Sequence, residues 1–153
     1  MLTGLQHLHN FLRWFIIIFA LWTIIKSMSG MSGGKAFTKS DKRPALLLMI
    51  TADIQLALGV ALYFGKGWWD VLTSGGFMKM PVQRFWAMEH MLGMLIGIIC
   101  IHIGYSAIKK NISDTSKFKK LFWFTLIGLL AILITIPWPF RADIGRGLFP
   151  GMN

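Results

Sequence analysis

Four long apolar runs alternate with polar, turn-rich stretches along this chain. They cover about Leu5–Ile25, Ala45–Phe64, Phe85–Ile108 and Leu121–Pro137. Each falls within the roughly 17–25 residues that a membrane-crossing helix needs. The pattern predicts an all-α fold, an integral membrane four-helix bundle, with residues 1–153 as a single membrane domain and no soluble one. The first run lacks a basic start, and no small-residue cleavage site follows it. It therefore reads as a span and not as a cleaved signal peptide.

The intervening stretches carry their own signals. Ser27 to Pro44 is rich in Gly, Ser and Lys and is expected to be flexible and solvated. Thr38–Asp41 suits a cap for the second helix, with Pro44 in its first turn. Gly65 to Arg84 holds Trp68, Trp69 and Phe77, which suit an interfacial aromatic belt or a short helix along the interface. Pro137-Trp138-Pro139-Phe140-Arg141 ends the fourth helix, where the chain is expected to leave the bilayer. No internal repeat or coiled-coil pattern is evident.

Composition narrows the class. With 55% hydrophobic residues the chain is too apolar for an ordinary soluble domain of 153 residues. A net charge of +10 would suit nucleic acid, but its distribution argues against that partner. Lys26, Lys35, Lys39, Lys42 and Arg43 lie between the first two runs. Lys109, Lys110, Lys117, Lys119 and Lys120 lie between the last two. This is the positive-inside pattern. It predicts both termini and the middle loop on the outer (periplasmic) side, with the basic loops against anionic membrane lipid. The one cysteine, Cys100, lies mid-span and has no partner for an intrachain disulfide.

Ionisable residues at membrane depth are costly and usually face the bundle interior. Here they are His9, Arg13, Asp53, Glu89, His90 and His102. His9 lies 17 residues before Lys26 and His90 lies 19 before Lys109. The first and third spans run the same way, so the two imidazoles are expected at one level near the outer face. A pair placed so can grip an iron from both sides. At roughly 100° per residue, Trp86, His90, Gly93, Gly97, Ile101 and Gly104 share one stripe. The glycines below His90 read as a flat berth for a cofactor. Read blandly, Gly93-x-x-x-Gly97 is a helix-packing motif. His9 shares a face with Arg13, Ile16 and Ala20, whereas His7 points to the opposite side.

Asp53 and His102 are expected at a common depth near the inner edge, as a structural hydrogen bond or a proton-sharing pair. Arg13 is placed to neutralise Glu89; alternatively, Arg13, Arg84 or Arg141 would meet the carboxylates of a cofactor. Gln55 and Gly59 share a face of the second span and would extend the pocket. Met49 and Met94 read as core filler.

The segments that carry a resemblance are Leu8-His9-Asn10-x-x-Arg13-Trp14 and Gln55-Leu56-x-Leu58-Gly59-x-x-Leu62-Tyr63-Phe64. With them go Arg84-Phe85-Trp86-Ala87-x-Glu89-His90 and Ile136-Pro137-Trp138-Pro139-Phe140-Arg141. In these the chain resembles the small bacterial four-helix membrane proteins of the cytochrome b-like type. The resemblance implies one haem b with His9 and His90 as axial ligands, in a multi-pass protein of the bacterial inner membrane. It further implies electron transfer, with a quinone or as a small subunit beside a larger respiratory complex. Larger four-helix cytochromes b often carry two haems and more histidines than are present here.

A second, weaker resemblance is to the HemJ-type protoporphyrinogen oxidases, which implies tetrapyrrole oxidation. The chain departs from that pattern at Leu92, where a lysine would follow the histidine by two. A third reading is a cofactor-free structural or accessory subunit, with the glycine stripe as a helix interface. A bis-histidine iron leaves no open position for oxygen chemistry, so an electron-transfer or accessory role is expected over a stand-alone enzyme. No catalytic residue is assigned.

Overall fold

The computed structural model describes residues 1–151. Among them there are helices and turns but no strand. Four helices are long and apolar enough to cross a membrane: Leu2–Met28, Lys39–Gly65, Pro81–Ala107 and Asp114–Thr135. They are called the first to fourth spans below. At 1.5 Å per residue the 27-residue spans are about 40 Å long, which exceeds the roughly 30 Å hydrocarbon layer.

The ends of the spans have local causes. Thr38 and Asp41 form a capping box: the Asp41 carboxylate accepts from the Thr38 backbone N–H at 3.1 Å and from its hydroxyl at 2.7 Å. This starts the second span at Lys39, so Pro44 falls in its second turn and not its first. Ser113 caps the fourth span by accepting from the Ser116 N–H at 3.2 Å. That span begins seven residues before its apolar run, because Lys117, Lys119 and Lys120 tolerate helix as well as any residue. It stops at Thr135, short of Pro137. Ile136 is extended, with ψ 134°, because the ring of a following proline disfavours the helical region.

The spans form a closed circuit. The first packs on the second and fourth, and the third packs on the same two, so the first and third are diagonal partners. The seam between the second and third is the loosest of the four. Ile16, Ala20, Ile24, Leu48, Ala52, Ile98, Ile101, Leu129 and Ile132 fill the centre. Ile18, Ile54, Ile99 and Ile134 point outward, as suits a surface bathed in acyl chains. The four apolar helices make this a multi-pass membrane protein.

Two segments are more closely packed than the pattern suggests. The Ser27–Pro44 stretch is exposed at Ser29, Ser32, Gly34 and Ala36, as expected, yet it is anchored to the bundle. Gly30 lies on the ring of Phe118, Phe37 packs against the same ring at 4.9 Å, and Lys35 pairs with the buried Asp41 at 2.8 Å. The loop covers the end of the bundle where Phe118 lies, and that ring is fully buried. The chain also does not simply leave after the fourth span. From Ile136 it turns back, and residues up to Phe149 lie against the first span. Trp14 stacks on Phe149 at 5.7 Å and meets Trp138 edge-on at 6.3 Å. The middle loop takes the second form expected for it, with a short helix at Trp68–Ser74 and Trp68 stacked on Trp86.

The third and fourth spans touch backbone to backbone. A methyl group added at Gly97 would stand 2.6 Å from Ile132 Cγ1 and 3.0 Å from the Gly128 carbonyl. One added at Gly128 would stand 2.8 Å from the Gly97 carbonyl. Small residues let helices in lipid approach closely and gain dispersion contacts. Gly97→Leu should destabilise the bundle by about 1–3 kcal/mol through overpacking, read as a lower melting temperature in detergent. Gly4→Ala, at a position with open space around it, should leave it unchanged. Equal melting of Gly97→Leu and the parent would refute the contact.

Candidate functional site

His9 and His90 meet across the diagonal. The His9 and His90 ring centroids are 6.4 Å apart, with planes at 64°. His7, two residues away, makes no side-chain hydrogen bond among the described residues.

His90 is positioned by the way the fourth span ends. In an α-helix the carbonyl of residue i accepts from the N–H of i+4. Pro137 and Pro139 have no N–H, so the carbonyls of Leu133 and Thr135 are left without their helical donors. Trp138 Nε1 donates to the Leu133 carbonyl at 2.8 Å, and His90 Nδ1 takes the Thr135 carbonyl at 2.9 Å. Arg141 reaches the Ile134 carbonyl between them at 3.3 Å. A carbonyl only accepts, so Nδ1 of His90 carries the proton and Nε2 keeps its lone pair. Histidines that bind metals are typically oriented in this way.

A π-helical turn, Phe85–Glu89, leads directly into His90. Such turns loosen the normal carbonyl pairing. Tyr63 on the second span donates its hydroxyl to the Ala87 carbonyl at 2.7 Å, which holds this turn in place. Phe85 and Trp86 flank the imidazole at 5.8 and 5.5 Å.

His9 is held from the second span. Gln55 Nε2 donates to the His9 backbone carbonyl at 2.8 Å. A side chain at Gly59 would stand 3.3 Å from His9 Cε1, so the imidazole lies against bare backbone. His9 Nδ1 and Gln55 Oε1 are both buried without a hydrogen-bond partner. His9, Gln55, Gly59 and His90 therefore do converge.

Other assignments are redrawn. Gly93 and Gly97 do not form an open berth below His90. Thr135 occupies the face of Gly93, where an added methyl would stand 2.1 Å from Thr135 Cγ2, and Ile132 with Gly128 occupies that of Gly97. The stripe faces the fourth span, so its glycines serve helix packing. Arg13 does not pair with Glu89, which is bonded to Arg84 at 2.6 Å. Arg13 Nε is buried without a partner, while its Nη2 is taken by the tail. It is 6% exposed and donates from Nη2 to the carbonyls of Gly147 and Leu148 at 2.7 and 2.6 Å, where Trp14 Nε1 adds a bond to Leu148 at 2.9 Å. Irregular backbone at membrane depth needs such partners, because acyl chains offer none. Gly145 permits the turn-back: an added methyl would stand 2.7–3.0 Å from the carbonyls of Arg141, Pro139 and Trp138. Arg141 also covers the Phe85 ring at 4.7 Å.

Asp53 and His102 lie 2.7 Å apart, on the outer surface of the second and third spans and not inside the bundle. They are 48% and 43% exposed and lie far from the His9–His90 pair. A shallow cleft of about 330 Å³, lined by Ile98, Ile99, His102, Ile103, Ser106 and Lys110, adjoins them.

Tyr63, Thr135 and the tail carbonyls were not assigned roles from the sequence. For Thr135 a signal existed: a proline four residues on leaves its carbonyl open. For Gly147 and Leu148 there was none, since their contact with Arg13 spans 134 and 135 positions.

No group of three or more His, Cys, Asp or Glu side chains that could hold a metal ion by itself occurs among the described residues. A haem iron needs only two axial ligands from the chain. Two metal–nitrogen bonds of about 2 Å each, with the ring radii added, put imidazole centroids roughly 6 Å apart. The His9–His90 centroid separation is close to that spacing, and His9 Nδ1, on the side facing Gly59, is buried without a partner. The centroid spacing is compatible with two axial ligands, whereas the glycine stripe is not the face against which a macrocycle would lie. No family model matches this chain, and no curated protein or solved structure matches it.

Arg13→Gln should free the tail, because two charge-assisted bonds worth about 1.5–3 kcal/mol each are lost. Limited proteolysis in detergent should then cut the segment from residue 142 to 149 in the variant well before the parent. Equal cleavage rates would show that Arg13 does not hold it.

Proposed function

We propose that this chain is a one-haem, b-type membrane cytochrome with His9 and His90 as its axial pair. The observation that carries the reading is the convergence of these two imidazoles from diagonal spans at 6.4 Å. The His90 Nδ1–Thr135 bond supports it by leaving Nε2 as a free donor. When bound, the haem would supply reversible one-electron chemistry, tuned by axial ligation and a dry surround. The chain's own part is positioning. Thr135 fixes the tautomer and orientation of His90, Gly59 gives His9 room beside the second span, and Tyr63 locks the turn before His90. Phe85 and Trp86 shield the pair from water. The electron partner on this reading is a quinone or a larger respiratory complex.

The same reading places the protein in a bacterial inner membrane with both termini and the middle loop outside. The ten cations gathered at one end of the spans and in the two loops that join them there support it. Cysteine introduced as Gly75→Cys should label in intact cells, and Gly34→Cys only after permeabilisation; the reverse pattern would invert the topology.

A second reading, a cofactor-free accessory subunit, is favoured by one observation: the filled faces of Gly93 and Gly97. Absorption separates the two. Protein expressed with ample haem supply should show a Soret band and paired visible bands on reduction. His9→Ala and His90→Ala should each lose them, while His102→Ala keeps them. Colourless parent protein would leave the accessory reading standing.

A further inference from the structure

The outer end of the bundle holds a polar cleft of about 380 Å³, lined by Gln6, Lys66, Gly145, Arg146 and Gly147. Two cations thus line one small space. None of the ion pairs among the described residues involves Lys66 or Arg146. Like charges side by side repel unless an anion lies between them. Partial burial, and after it the neighbouring Arg146 guanidinium, hold the Lys66 ammonium below its ordinary range.

Both cations are fixed by the surrounding structure. Lys66 Nζ donates to Gln6 Oε1, and the Arg146 guanidinium covers the Trp86 ring at 5.1 Å. Each anchor also leads to one of the paired imidazoles. Gln6 stands three residues before His9, about one helical turn outward on the same side. Trp86 packs on His90 at 5.5 Å. The cleft therefore sits directly outward of the histidine pair. Arg13, Arg84 and Arg141, the cations named from the sequence, are all engaged elsewhere.

We propose that Lys66 and Arg146 form an oxyanion site, whose ligand is a carboxylate or phosphate presented at the outer membrane surface. Its position makes the haem carboxylates the expected source, and that assignment rests on the haem reading above; a phospholipid headgroup supplies the same chemistry.

The test compares the parent with a Lys66→Gln/Arg146→Gln double variant, both stripped of cofactor in detergent. Each is titrated with haem b and with haem b dimethyl ester, whose carboxylates are blocked. The parent should bind haem at least about tenfold tighter than the ester, since charge-assisted bonds are each worth that much or more. The double variant should bind the two alike while keeping its Soret band. In parallel, native mass spectrometry counts phosphatidylglycerol retained by each protein. Loss of that lipid in the variant, with haem discrimination unchanged, would keep the oxyanion site and assign it to lipid. An unchanged haem-to-ester ratio together with unchanged lipid would overturn the proposal. A parent that takes up neither haem nor ester ends the haem reading, and the lipid count then decides this one alone.

Discussion

Acyl chains cannot hydrogen-bond, so a polar group carried into the apolar spans is costly unless it finds a partner within the chain, and His9 Nδ1 and Gln55 Oε1 are left without one. Much of the half of the bundle around His9 and His90 follows from that constraint. The two prolines after the fourth span strip helical donors from Leu133 and Thr135, and the vacant carbonyls are filled by Trp138 and His90. The tail that follows re-enters beside the first span with unpaired carbonyls of its own, and Arg13 and Trp14 satisfy them. An arginine that looks anomalous along the sequence is thus the donor that makes an irregular segment tolerable.

The same constraint orders the histidine pair. His90 is held by a carbonyl that exists as an acceptor only because of Pro139, and it emerges from a π-helical turn whose loosened carbonyl is taken by Tyr63. His9 is backed by the bare backbone at Gly59. The two side chains come from diagonal helices, so they meet only if the second and fourth spans hold the first and third at the right distance. The glycines of the third span set part of that distance by bringing the fourth span into backbone contact at Gly97 and Gly128. Their contribution to the site is indirect: they place Thr135, which places His90.

The Asp53–His102 pair shows the other outcome. It lies on the lateral surface of the bundle, where the two groups answer each other at 2.7 Å and have no other side-chain partner among the described residues. Pairing lowers the cost of carrying both groups at that depth, whatever further role they have.

Apolar run length and the spread of lysines were enough to define four helices and the basic stretches between them, because span length and charge distribution are local properties of a chain in a bilayer. The period of the helix put His9 on the face of Arg13 and Ala20, and chain direction put it level with His90. Depth along parallel spans is again arithmetic on one sequence. Which element each face meets was beyond that arithmetic. The glycine stripe has the same spacing whether it borders a macrocycle or another helix, and only the packed bundle shows the fourth span lying against it. The partners of Arg13, the fold of the basic first loop onto Phe118, and the meeting of Lys66 with Arg146 likewise arise from segments far apart in sequence. Such contacts are fixed by the closing of the whole circuit of helices, and no local pattern encodes them.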